Sequence, residues 1–211
     1  MYQPAHFSHR DTALAHAVMH EHPFATLVSS HDNAPFITHC PLVFTSDAST
    51  TLYGHMARAN PHHGLWKAQQ PVLAMFHGPS SYVSPNWYAP ENAVRAVPTW
   101  NYVVVHAHGT LSLVDDEEGK DALLKRLISR MEPGYAAQWR ALPRDFQSSL
   151  LRAIVGFTIE VTKTDAKFKL CQNRPAADKP LVAAQLAAGG MAGTGSQATG
   201  VLDWMQRLGV V

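Results

Sequence analysis

Phe24-Ala25-Thr26-Leu27-Val28-Ser29 is a β-rich run, and the chain turns directly after it on His31-Asp32-Asn33-Ala34-Pro35. A second run, Phe36 to Phe44, follows. Two such runs joined by Asn/Asp turn chemistry form a hairpin. No other feature constrains the fold as strongly. Pro41 inside the second run places an edge, a bulge or the end of a ladder there. Thr50 to Met56 gives a third strand, and Val72 to Phe76 a fourth, unbroken in apolar character and expected to be buried on both faces. Gly78-Pro79 should end that fourth strand. Trp100 to Val114 is a long fifth strand, and Val155, Phe157, Ile159 and Val161 alternate with polar residues over a further one. Lys167 to Cys171 can add another.

Helices fill the gaps. Ser8-His9-Arg10-Asp11 has capping-box spacing ahead of Leu14, Val18 and Met19, which predicts a helix over roughly 8–21. Asn60-Pro61 opens a short helix carrying Trp66 and Lys67. Asp115-Asp116-Glu117-Glu118 begins a helix with Leu123, Leu124, Leu127, Ile128 and Met131 on one side, its acids suited to the dipole. Another helix lies around Asp145–Ala153. From about Pro175 the chain is Ala-rich and helical, interrupted by Gly189-Gly190 and Gly193-Thr194-Gly195 before an amphipathic helix with Leu202, Met205 and Leu208. The expected fold class is α+β, mainly β: a small antiparallel barrel with peripheral helices. The expected division is a barrel domain over 1–175 and a helical extension over 176–211.

Charge narrows the function. The 17 Lys+Arg and 16 Asp+Glu of the 211 residues give +1, which excludes a protein that holds nucleic acid by phosphate neutralisation alone. No stretch approaches the ~20 uncharged apolar residues that span a bilayer. The start, Met1-Tyr2-Gln3-Pro4-Ala5-His6, lacks the basic region and apolar run of a signal peptide, and Cys40 and Cys171 form no paired spacing. A reduced, cytoplasmic protein without membrane contact is the expectation.

All 13 histidines fall within residues 1–108. His62-His63, His106/His108 and His20/His22 are the closest groups, but none sits in HExxH, and an i,i+2 pair supplies no third ligand. No metal site is expected. Nucleophile elbow, dinucleotide and P-loop signatures are all absent from the sequence. The chemistry concentrates instead at a strand-to-helix corner. His39 lies in the second strand; Gly54, His55, Arg58 and Asn60 follow within seven residues, offering bare backbone, imidazole, guanidinium and amide. Such a corner suits a phosphate. It also suits an ordinary turn with a surface Arg. The segments Tyr82 to Tyr88 and Val97 to Tyr102 supply flat surface with polar tips, fit for a planar heterocycle, a subunit interface or core packing.

Those segments, in this order, resemble the PaiB family of FMN-binding negative transcriptional regulators. The resemblance runs from Met1-Tyr2 with Pro4 and Phe7, through Pro35 to Leu42, Leu52 to Pro61, His77 to Pro85 and Val97 to Tyr102, to Lys169-Leu170-Cys171-Gln172-Asn173. It covers the chain to about residue 187. It implies an FMN-binding split β-barrel, related in fold to pyridoxamine phosphate oxidases, that forms a homodimer with flavins at the subunit interface. Under that resemblance Thr38 and His39 border the isoalloxazine, Gly54, His55, Arg58 and Asn60 face the ribityl phosphate, and Trp100 and Asn101 approach from the same or the partner subunit. Cys171 stands where Ser is expected, and His62-His63-Gly64-Leu65-Trp66 is longer than the family's path, so Lys67 is assigned no phosphate role.

Three function classes remain open. One is a flavin-binding regulator that lowers transcription, with or without direct DNA contact; the nearest basic groups are Lys120/Lys125/Arg126/Arg130 and Lys163/Lys167/Lys169, and no helix-turn-helix or basic stripe is evident. A flavin-dependent oxidoreductase acting on an unknown small molecule would use a nicotinamide reductant, the loop 79–99 as lid, and His39 or His55 as the available acid or base. The third class is a structural dimer without flavin.

Overall fold

The computed structural model describes residues 1–9, 11–44, 50–191 and 195–211. Seven strands occur among them: β1 (Ser8–His9), β2 (Phe24–His31), β3 (Ala34–Val43), β4 (Thr51–Ala57), β5 (Gln70–Val83), β6 (Thr99–Val114) and β7 (Ile154–Lys169). The helices are α1 (Thr12–Glu21), α2 (Pro90–Ala93), α3 (Glu117–Met131), α4 (Ala136–Ala141), α5 (Arg144–Arg152), α6 (Asp178–Ala187) and α7 (Gly195–Arg207). Strand order is β1-β7-β4-β3-β2-β5-β6, and β6 pairs again with β7. This is the α+β, mainly β arrangement expected, with the sheet returning on itself as a split barrel.

The chain divides into two compact units. One comprises Met1–Val18, His77–Val105 and Asp165–Val211; the other comprises Met19–Phe76 and His106–Thr164. Residues 176–211 are grouped with the first unit, where α6 and α7 pack together.

In the second unit the hairpin is as the sequence dictates. Asp32 and Asn33 both take positive φ, 48° and 64°, the two-residue turn whose twist matches its strands. β2 and β3 pair from Phe24↔Pro41 to His31↔Ala34, so Pro41 sits at the end of that ladder. Beyond it, Leu42 and Val43 pair with Gly54 and Tyr53 of β4, and β4 pairs with β7 over Thr51↔Glu160 to Ala57↔Ile154. Ala25, Leu27, Leu42, Leu52, Phe157 and Ile159 fill the core. Asp116 caps α3, accepting from Gly119 N at 2.7 Å.

In the first unit α7 turns Ala198, Val201, Trp204 and Met205 inward, with Trp204 5.2 Å from Phe168, while Leu202 and Leu208 stay half-buried. Met1 donates its amino group to Asp165 at 3.1 Å.

Several elements depart from expectation. Ser8 and His9 pair with Lys167 and Ala166, and Asp11 caps α1 by accepting from Ala13 N at 2.8 Å; Arg10 of the expected capping box lies outside the described residues. β5 does not stop at Gly78-Pro79. A side chain at Gly78 would lie 2.9 Å from Val103 Cβ, so glycine there permits close packing within a continuing strand. β5 alternates in burial and is not buried on both faces. Tyr82-Val83 is its end, and a short 3-10 turn at Pro85–Trp87 precedes α2. The two expected late strands are one, β7. Asn60-Pro61 opens a single 3-10 turn, Pro61–Leu65. Gly193 and Thr194 lie outside the described residues.

Candidate functional site

The corner that follows β4 is organised by His62, a residue the sequence did not single out for a role. Its ring is fully buried. Nε2 lies 2.8 Å from Ser29 Oγ and Nδ1 lies 2.8 Å from Thr38 Oγ1. Asn60 Nδ2 donates to Thr38 Oγ1 at 3.1 Å, and Asn60 Oδ1 accepts from His62 N at 3.0 Å. Phe36 and Trp66 flank the imidazole, with ring centroids at 4.6 and 4.9 Å. A neutral imidazole offers one donor and one acceptor, which the two hydroxyls satisfy. Burial lowers the His62 pKa to about 4, so the ring is neutral. Thr38 and Asn60 therefore spend their polar atoms within the protein. They hold the 3-10 turn against the sheet.

Strand alternation sends His39 to the opposite face from Thr38. It is exposed, with Nδ1 3.1 Å from Thr26 Oγ1 and its ring stacked near Phe24. Phe24 and Ile37 are both more than half exposed beside it. Along β4, Gly54 faces the core: a Cβ would lie 2.5 Å from Leu42 Cδ2 and 2.6 Å from Phe157 Cζ. Side-chain packing accounts for this glycine. His55, one residue on, faces the other way, opposite Gly156 in β7. Its Nδ1 is buried without a hydrogen-bond partner among the described residues, and burial lowers its pKa.

Arg58 leaves β4 and turns back on β7. Its backbone N donates to Ala153 O at 2.8 Å and Nε donates to Arg152 O at 2.9 Å. Nη2 donates to Ile154 O at 3.0 Å and to Asp115 Oδ1; Nη1 donates to Asp115 Oδ2 at 3.2 Å. Lys120, almost wholly buried, donates to Asp115 Oδ1 at 3.2 Å. The Arg58 hydrogen bond leads the effects that hold the Asp115 carboxyl below the usual carboxylate range. The corner is thus two cations converging on one oxyanion, with both members of the Arg58–Asp115 pair roughly half exposed. A guanidinium and an ammonium converging on one site are the donors that a phosphate or carboxylate requires.

Trp100 and Asn101 lie in the other unit. Trp100 is half exposed, edge-on to Tyr82 at 6.3 Å. Asn101 is buried and donates from Nδ2 to Cys171 Sγ at 3.2 Å. So Thr38 and Asn60 share one network, Arg58 belongs to a second, and His39 and His55 stand on other faces. Ser29, His62, Asp115 and Lys120 were not assigned to this corner from sequence. Asp115 was visible only as the first acid of a helix-opening run, and His62 as half of a histidine pair.

The fold defines a class, the split β-barrels. Two solved structures share the fold: the flavocytochrome Anf3 of Azotobacter vinelandii, at a TM-score of 0.59, 16% identity and coverage of 77% of this chain and 69% of that one, and the FAD and heme binding protein of Mycobacterium smegmatis, at 0.56, 16%, 77% and 73%. The chain belongs to the family described as "Putative FMN-binding domain", which matches residues 1–163. It is 35% identical over 192 residues to protease synthase and sporulation protein PAI 2 of Bacillus subtilis (strain 168), covering 88% of this chain and 89% of that protein.

Proposed function

We propose that this chain is an FMN-binding protein of the PaiB type that acts as a negative transcriptional regulator, working as a homodimer in the cytoplasm. One observation carries the cofactor reading. Arg58 and Lys120 already hold an oxyanion, Asp115, at a half-exposed corner, and a phosphate monoester presents the same oxygens with more charge. The residues present fit the group. Arg58 and Lys120 would take the phosphate, sharing or replacing Asp115. The unpartnered His55 Nδ1 is a further polar atom on β4. His39 with Ile37 and Phe24 offers an exposed face of apolar and imidazole character, suited to a flat ring. Thr38, Asn60 and Gly54 would position this corner through packing and hydrogen bonds within the protein. When bound, FMN would supply hydride or electron acceptance.

The test is the absorption spectrum of the freshly purified protein, followed by FMN titration of the wild type and of Arg58→Ala. A flavin band, and at least tenfold weaker binding in the variant, support the reading. A colourless protein that ignores added FMN overturns it. Sedimentation measures the dimer, and gel shifts with promoter DNA across a salt series test DNA contact. Bleaching by NADH or NADPH with turnover of an acceptor would instead assign the flavin to catalysis.

A further inference from the structure

The unit that contains Asn101 has a cavity of about 280 Å³ whose lining includes Arg95, Lys169 and Arg174 and no Asp or Glu. We propose that this cavity is a second ligand site, separate from the flavin corner, for a small organic anion: a phosphate ester or carboxylate with an apolar body.

Arg174 and Lys169 are held in place. Arg174 donates from Nε and Nη2 to Asp178 Oδ2 at 2.9 and 2.6 Å, and its guanidinium lies 3.8 Å from the Tyr88 ring centroid. Asp178 is fully buried and also accepts from Asn92 Nδ2 at 2.8 Å and Ala89 N at 3.1 Å. Lys169 donates to Thr99 Oγ1. The lining includes the buried pair Asn101 and Cys171, and Cys171 takes φ 67°, a left-handed conformation that non-glycine residues rarely adopt. Phe7 and Tyr88 supply apolar wall.

Charge decides the ligand's sign. Three cations line the cavity against one carboxylate, Asp178, which lies behind Arg174 and is spent on it. The excess is two positive charges, and a partly desolvated anion would meet donors on several sides. Size decides the rest. Drug-sized ligands occupy pockets of about 300–1,000 Å³, so this one takes a small molecule.

The test is calorimetric titration of the full chain with phenyl phosphate, benzoate and the neutral benzyl alcohol. The inference requires that at least one anion bind tenfold or more tightly than benzyl alcohol. It also requires that Lys169→Gln and Arg95→Gln each weaken that anion at least threefold without moving the thermal midpoint. Arg174 is left intact because its loss would strand Asp178. Equal binding of the alcohol, or affinity unmoved in both variants, overturns the site. Saturating FMN should leave the anion's affinity unchanged, and Lys169→Gln should leave FMN affinity unchanged; competition, or loss of both ligands together, overturns its independence from the flavin corner. If FMN does not bind at all, the anion titration still decides this inference alone.

Discussion

The carboxylate of Asp115 grips the guanidinium of Arg58 with both oxygens, while Lys120 reaches the same carboxylate from a buried position. The protein carries its own anion where the proposed cofactor's anion would bind. Asp115→Asn keeps the shape and removes the charge. FMN affinity should then rise about fivefold, roughly the ~1 kcal/mol that a half-exposed charge contributes. Fluorescence titration reads this directly, and weaker flavin binding in Asp115→Asn would count against a phosphate at this corner.

His62 makes the fold sensitive to acid. Its folded pKa, about 4, lies below the ordinary 6.5, so the unfolded chain binds the proton first. Its contribution is therefore complete above pH 6.5 and declines as pH falls towards 4. Over that window the loss is about 3 kcal/mol. Chemical denaturation from pH 7.5 to 4.5 should follow this slope in the wild type. His62→Gln should be less stable at pH 7.5 and show a flatter profile; an equally steep one would assign the acid sensitivity elsewhere.

Gly54→Ala should destabilise the protein by about 2 kcal/mol, because the new methyl meets Leu42 and the Phe157 ring inside a packed core. Urea unfolding measures the loss. If stability were unchanged and only flavin affinity fell, the glycine would belong to the cofactor and not to the core.

Asp178→Ala should cost about 3 kcal/mol or more. It removes the buried acceptor of Arg174, Asn92 and the Ala89 N–H together. Burial alone would raise this carboxyl; the hydrogen bonds outweigh it and leave its pKa lowered. A variant that melts with the wild type would show that the Arg174 pairing contributes nothing net.

Much of the local structure was legible in order of sequence. The Asp32-Asn33 turn, the four strands from Phe24 to Phe76, the long strand from Thr99 and the Asp116 cap each follow from residues within a few positions of one another. The errors share a cause. Gly78-Pro79 reads as a stop until Val103 is known to lie against it, and Gly54 reads as open backbone until Leu42 and Phe157 fill its face. Both depend on residues far away in the chain.

The same division runs through the chemistry. Residue type and spacing alone selected the corner at Gly54 to Pro61, because a guanidinium at the end of a strand is a local property. Which groups surround that guanidinium was settled only by folding: Asp115 lies 57 positions further along and Lys120 beyond it, brought to Arg58 where β7 and α3 meet the end of β4. Hydrogen-bond propensities are written in single residues, whereas neutralisation, burial and pKa depend on distances through space, and only the assembled chain fixes those.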